Sequence, residues 1–340
     1  MNRIQRALGL LMTGKTPGEK LREIPPISED EVLEAREFFP MPKFFVFGYA
    51  RSGTTLLARL LSLHPDVHCN YQAHFFTRPP LLSGMLREQR YEDWLARRSN
   101  RWNRGRDLSP VAMRAMSDYI LERDALREGK RVVGDKSPNV LLAGQAVDEL
   151  YRIYPDAVLI YIVRDGRDAL LSHRFQQFID GAQFLKSKDL RLRDAFARDP
   201  EAFTAAGRSI FTSTAMQRMA SDWAHNVIDT HAKGRLLYGD RYFSLRFEDL
   251  LARPYDMLAR IWTLLGVEPL GMEERVNTEM QQNPDADWQQ EAAPDLASAL
   301  EKGQKGSWRD FFTTDDKAHF KSLAGEALIS WGYAEGTDWS

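Results

Sequence analysis

From Gly48 to Thr55 the chain reads Gly-Tyr-Ala-Arg-Ser-Gly-Thr-Thr. Two glycines with four residues between them let a backbone curl so that successive N–H groups point inward. A helix starting at the second glycine adds its positive dipole end, and together these hold a phosphate. The spacing is that of a P-loop, with one difference. Thr54 stands where a nucleotide-hydrolysing loop has lysine, and the cation comes earlier, at Arg51. That arrangement disfavours ATP–magnesium geometry. A simple strand–turn–helix corner would need only the glycines; the cation and the hydroxyls of Ser52, Thr54 and Thr55 favour an anion-binding loop.

A second cation ends an apolar run. Ala157 to Val163 is nearly all apolar and is followed by Arg164-Asp165-Gly166-Arg167-Asp168. Such a run reads as a strand covered on both faces, which sets Arg164 at the C-terminal sheet edge where open α/β folds bind ligands. Ser172 follows eight residues later.

The elements that must position these groups are legible from the apolar pattern. Lys43–Phe47 is a short buried strand, and Thr54–Leu63 carries a helical stripe of Leu56, Leu57, Leu60, Leu61 and Leu63 that His64-Pro65 stops. Further strands are expected at 131–133, 157–163 and 242–247, with helices at 81–97, 110–128, 140–153, 167–179 and 214–232. Alternation of this kind predicts βαβ units, hence an α/β fold with a central parallel sheet and helices on both faces. Residues 1–42 read as a leader. Ile4, Ala7, Leu8 and Leu11 have the spacing of a short amphipathic helix, and 13–42 is polar with Pro17, Pro25, Pro26, Pro40 and Pro42. Residues 43–340 then form a single domain, with 281–297 a long loop or lid.

Composition narrows the class. Lys plus Arg is 46 against 48 Asp plus Glu, which lacks the basic excess of a general nucleic-acid binder. The one cysteine, Cys69, makes no internal disulfide and no zinc cluster, so a reduced, cytoplasmic location is expected. No apolar run approaches the ~20 residues of a membrane-spanning helix.

Ala50-Arg51-Ser52-Gly53-Thr54-Thr55 resembles the 5′-phosphosulfate loop of sulfotransferases that use 3′-phosphoadenosine 5′-phosphosulfate (PAPS), close to P-[KR]-S-G-T-T, with Ala50 in place of the proline. Arg51, Leu56-Leu57 and His64-Pro65-Asp66-Val67 are most similar to the tyrosylprotein and heparan-type branches and their bacterial relatives. Arg164 through Ser172 matches the family's R-[DN]-x-[RK]-D-x-x-x-S, whose arginine and serine grip the 3′-phosphate. Ala299–Thr313 resembles the family's C-terminal element at Lys302, Gly303, Gly306, Trp308, Arg309 and Thr313, with Glu301 in place of an arginine. Ser244–Leu250 resembles its Y-E-D-L strand end, which puts Phe247 near an adenine or simply in the core.

The resemblance implies a P-loop-like three-layer fold and sulfuryl transfer from PAPS to a hydroxyl or amine acceptor, with no metal required. Arg51, Ser52, Gly53, Thr54 and Thr55 would hold the 5′-phosphosulfate; Arg164, Ser172, Lys302 and Gly303 the 3′-phosphate. Arg51 would act at the bridging oxygen, and Lys136, in Gly134-Asp135-Lys136-Ser137-Pro138, on the sulfuryl group. The general base is less direct. Pro138 occupies the position of one branch's histidine, and Gln72 that of the other's glutamate. His74 is the expected base, titrating near 6.5; Tyr71, Asp135 and His173 are the alternatives. The acceptor is a carbohydrate, peptide tyrosine, lipid or small alcohol, with 180–215 (Phe184, Leu185, Phe196 and Phe203 among many charges) and 281–297 lining its pocket. A P-loop kinase or ATPase, and a non-catalytic nucleotide-binding protein on the same fold, are the rival readings.

Overall fold

The computed structural model describes residues 23–78, 81–179, 185–204, 207–269, 271–282, 308–336 and 338–339. Five strands form one sheet: β1 (Lys43–Gly48), β2 (Val67–Tyr71), β3 (Val132–Lys136), β4 (Val158–Val163) and β5 (Tyr242–Arg246). Their order is β2-β3-β1-β4-β5 and every pairing is parallel. Helices among the described residues are α1 (Glu29–Phe38), α2 (Thr54–Leu61), α3 (Leu81–Leu86), α4 (Gln89–Leu95), α5 (Ser109–Arg127), α6 (Gly144–Ile153), α7 (Gly166–Ile179), α8 (Ser187–Arg198), α9 (Ser213–Tyr238), α10 (Phe247–Ala252), α11 (Pro254–Leu264), α12 (Glu273–Met280), α13 (Trp308–Phe311) and α14 (Thr314–Ser330).

Strand period two divides the core into two layers. Phe44 and Val46 of β1, with Ile160 and Ile162 of β4, pack on Leu57, Leu60 and Leu61 of α2 and Leu258, Ile261 and Trp262 of α11. Phe45 and Phe47, with Leu159, Tyr161 and Val163, face Val147 and Leu150 of α6 and Trp223 of α9. Each fully buried leucine in these layers contributes about 1.5–3 kcal/mol. The expected three-layer α/β fold is what the chain forms.

Residues 24–38 depart from the leader reading. Ile24, Ile27, Val32 and Ala35 are buried, and α1 begins at a capping box between Ser28 and Glu31. The prolines bracket this helix rather than interrupt it. Lys43 ties the segment down: its buried ammonium donates to the Phe39 and Met41 carbonyls and pairs with Glu122 at 2.5 Å and Asp118 at 3.3 Å. The short helix expected within residues 1–12 lies outside the described residues. Strand β2 was not among the expected strands. Its signal is alternation, with Val67 and Cys69 buried and His68 and Asn70 less so, rather than an apolar run.

Candidate functional site

The β1–α2 loop closes at the C-terminal edge of the sheet. Arg51 has φ 64° and Gly53 φ 88°, so the chain passes twice through left-handed backbone, at about 1–2 kcal/mol for the arginine. A Cβ on Gly53 would lie 2.3 Å from the Phe247 ring, so only glycine fits beneath it. Gly53 is the N-cap of α2, and no side chain caps that helix. The first-turn N–H groups and the positive dipole end therefore face the loop interior. The Ser52 hydroxyl is buried with no hydrogen-bond partner among the described residues. Orphaned hydroxyl, uncapped helix and a cradle that a Cβ would fill together suit a phosphate or phosphosulfate.

The second motif meets the first. Arg51 Nε donates to Ser172 Oγ at 3.2 Å, and Arg164 Nη1 donates to the Arg51 carbonyl at 3.2 Å. The Arg164 guanidinium lies 5.1 Å from the centre of the Phe247 ring. Behind it, Glu248 accepts from the Asp165 N–H at 3.1 Å, and the Tyr333 hydroxyl donates to Glu248 at 2.8 Å. Arg167 pairs with Asp165 at 2.6 Å and lies over the rings of Trp308 and Trp339. The Trp308 backbone N–H donates to Asp168 at 3.2 Å, so the start of α13 docks against the first turn of α7, just after Arg164. Lys302, Gly303 and Glu301 of that motif lie outside the described residues.

The end of β3 supplies the third part. Lys136 Nζ donates to Thr55 Oγ1 at 3.2 Å and sits 5.2 Å from the Tyr71 ring centre. The chain leaving β2 turns sharply, with Gln72 at φ 57° and His74 at φ 52°. His74 Nδ1 bonds Thr77 Oγ1 at 2.7 Å, and its Nε2 is buried with no partner among the described residues. Burial first, then the charges of Arg78 and Lys136, push the His74 pKa down to about 4. This corrects the expected titration near 6.5: the imidazole is neutral at physiological pH. It is available as a proton acceptor, and a weaker one than a free histidine. His173 is also pushed down to about 4, by burial and then by Arg51, Arg218 and Arg174. Burial raises Tyr71, and it lifts the buried carboxyl of Asp135 to about 6.

A cleft of about 740 Å³ joins these groups, within the usual size of ligand sites. Arg51, Gly53, Thr54, Thr55, Arg164 and Phe247 line it, as do Gln72, His74, His173 and the apolar Pro138, Val140 and Leu141. Ser52, Ser172 and Lys136 stand just behind the lining, the last two bonded to Arg51 and Thr55. Tyr71 and Asp135 are not part of the lining. Thr77, Arg78 and Gln176 also line the cleft and were not expected. Gln176 had a signal, lying four residues after Ser172 on one helix face.

The acceptor-side expectation for 180–215 needs correction. Phe196 and Phe203 are fully buried and pack with Phe175, Phe178 and Phe311 in the core. Leu185 lines a separate cavity of about 310 Å³ beside Arg174 and Arg218. Phe184 and most of 281–297 lie outside the described residues. Among the described residues, no three His, Cys, Asp or Glu side chains gather as a metal site, and no helix is long and apolar enough to cross a membrane.

Residues 42–274, well over half of the chain, match the model of the sulfotransferase family. The chain belongs to that family. It is 26% identical over 229 residues to a protein-tyrosine sulfotransferase of Drosophila melanogaster, covering 67% of this chain and 38% of that one. It is 26% identical over 253 residues to the nodulation protein NoeE of Sinorhizobium fredii, covering 70% and 53%. The chain thus spans about half or less of the length of these curated relatives. Similar solved structures include a sulfotransferase from Alicyclobacillus acidocaldarius, with TM-score 0.43, 21% identity and coverage of 79% and 98%. Another is a mouse sulfotransferase complexed with PAP, with TM-score 0.44, 16% identity and coverage of 89% and 90%.

Proposed function

We propose that this sulfotransferase-family chain moves a sulfuryl group from PAPS to a hydroxyl or amine acceptor. The observation that carries the reading is the direct bonding of the two anion motifs through Arg51: to Ser172 by its side chain and to Arg164 by its carbonyl. One loop for a 5′-phosphosulfate and a separate Arg–Ser pair for a 3′-phosphate describe a donor phosphorylated at both ends of its ribose. ATP, with no 3′-phosphate, gives the second pair nothing to hold. Arg51, Ser52, Gly53, Thr54 and Thr55 bind the 5′ end. Arg164 and Ser172 bind the 3′ end, joined by Lys302 and Gly303 in the family pattern. Phe247, beneath Arg164, offers a face to the adenine.

In the transfer, the acceptor oxygen or nitrogen forms a bond to sulfur as the bond to the phosphate oxygen breaks. Negative charge builds on the leaving phosphate, where Arg51 and Lys136 stabilise it. The acceptor proton passes to His74 Nε2, which has no hydrogen-bond partner among the described residues. Gln72 orients the acceptor group. The acceptor is a carbohydrate, peptide tyrosine, lipid or small alcohol. A screen of these four classes with PAPS labelled in the sulfuryl group tests the proposal. Label transferred to one class, with stoichiometric 3′,5′-ADP, is the expected result; no transfer to any class and no 3′,5′-ADP binding refutes it.

A further inference from the structure

Three successive backbone N–H groups leave β2 and all end on the C-terminus of β3. Gln72 donates to the Lys136 carbonyl at 2.7 Å, Ala73 to Asp135 Oδ1 at 3.1 Å, and His74 to Ser137 Oγ at 3.0 Å. Ser137 in turn donates to Asp135 Oδ2 at 2.5 Å. One buried carboxylate thus holds two consecutive N–H groups, one directly and one through a hydroxyl. The segment it holds is strained, with Gln72 and His74 both in left-handed backbone, a conformation non-glycine residues keep only when their surroundings enforce it. Both side chains line the cleft, and Asp135 does not.

We propose that Asp135 is a positioning residue for sulfuryl transfer, acting through Ser137 and the strained 72–74 turn to hold Gln72 and His74 against the acceptor. The carboxylate form does this best, because it accepts both bonds. A protonated carboxyl must turn a proton toward one of two donors that already point at it. Its charged or titratable neighbours are Lys136 on its own strand and the Cys69 thiol on β2; its β1 partner in register, Phe45, is apolar. With the carboxyl lifted to about 6 by burial, the clamp loosens as pH falls through 6. Protonation in this window adds stability to the folded chain, because the unfolded carboxyl titrates lower. The Asp135 contribution to stability and the activity it supports therefore move in opposite directions there, so the comparison is read between wild type and Asp135→Asn.

The test is Asp135→Asn and Ser137→Ala in the full chain, read by kcat against pH, 3′,5′-ADP affinity and amide hydrogen exchange. Wild type is expected to lose kcat below about pH 6. Asp135→Asn is expected to lose kcat at pH 7 by on the order of 10- to 10²-fold, the scale of a small misplacement, and to lose the acid limb. Its 3′,5′-ADP affinity stays within twofold or so of wild type, and exchange at Ala73 and His74 rises while β1 is unchanged. Wild-type kcat with the wild-type acid limb overturns the proposal, as does equal loss of kcat, 3′,5′-ADP affinity and Tm. If Asp135→Asn does not fold, Ser137→Ala decides: lower kcat with faster exchange at His74 supports the clamp, and neither change overturns it. The kinetic arm rests on the sulfotransferase reading. If wild type transfers no sulfuryl group, that reading fails, while exchange at 73–74 still decides the clamp.

Discussion

Replacing Arg164 with alanine separates a 3′-phosphate site from a merely structural arginine. The guanidinium makes two contacts: it holds the Arg51 carbonyl at 3.2 Å and lies 5.1 Å from the Phe247 ring centre. The first contact contributes about 0.5–1.5 kcal/mol and the second about 0.5–1 kcal/mol at a partly exposed site. Their loss disturbs the phosphate loop for every ligand. Adenosine 5′-phosphosulfate, which lacks the 3′-phosphate, is therefore expected to lose about 1–2.5 kcal/mol, roughly 5- to 70-fold in Kd. 3′,5′-ADP loses that and, in addition, a charge-assisted contact of about 1.5–3 kcal/mol, a further 10- to 150-fold or so. Isothermal titration of both ligands into wild type and Arg164→Ala gives the ratio directly. Equal losses would show that Arg164 only braces the loop and would refute the donor assignment.

Other outcomes follow from particular contacts. His74→Ala is expected to lower kcat by ~10²-fold or more with 3′,5′-ADP affinity unchanged, and kinetics across pH check the accompanying limb, which lies near 4 rather than 6.5. Gly53→Ala drives a methyl into Phe247, so 3′,5′-ADP binding by calorimetry should fall at least tenfold or so and recover in part when Phe247→Ala is added. Lys43→Met leaves Glu122 buried without its cation, while Asp118 keeps Arg114; a loss of about 3–5 kcal/mol is expected, measurable in urea melts. His74 and His173 both titrate lower in the folded chain than their ordinary 6.5, at about 4. Unfolded chains bind these protons first, so each histidine takes away stability as pH drops from 6.5 toward 4, against the Asp135 contribution, and His173→Gln should raise Tm relative to wild type at the acid end of that range.

The donor side was legible in the sequence because its chemistry is written in short contiguous runs. Gly48–Thr55 sits between an apolar strand and a leucine-striped helix, and Arg164 ends an apolar strand, so the parallel-sheet topology alone brings both to one edge. The acceptor side was legible only in part. His74 was found as a residue type, but its depressed pKa depends on burial and on Arg78 and Lys136, which no local pattern encodes. Phe196 and Phe203 were read as pocket because charges surround them in sequence; in space they complete an aromatic core with Phe175 and Phe311. The helix Glu29–Phe38 was hidden by proline density, although Ser28 and Glu31 spelled its capping box. In the sequence Asp135 reads only as an alternative base. Its bonds to Ala73 and Ser137 arise from the β2–β3 pairing, and β2 was the strand that alternation rather than an apolar run would have revealed.

In the proposed function the cleft holds a nucleotide bearing both a 5′- and a 3′-phosphate. Competitive calorimetry of 3′,5′-ADP, 5′-AMP and ATP, with and without magnesium, tests it most directly. 3′,5′-ADP is expected to bind at least tenfold or so tighter than 5′-AMP, from the charge-assisted contacts of Arg164 and Ser172, with a Kd that magnesium does not change. Tighter binding of ATP with magnesium, together with equal affinity for 3′,5′-ADP and 5′-AMP, would contradict it.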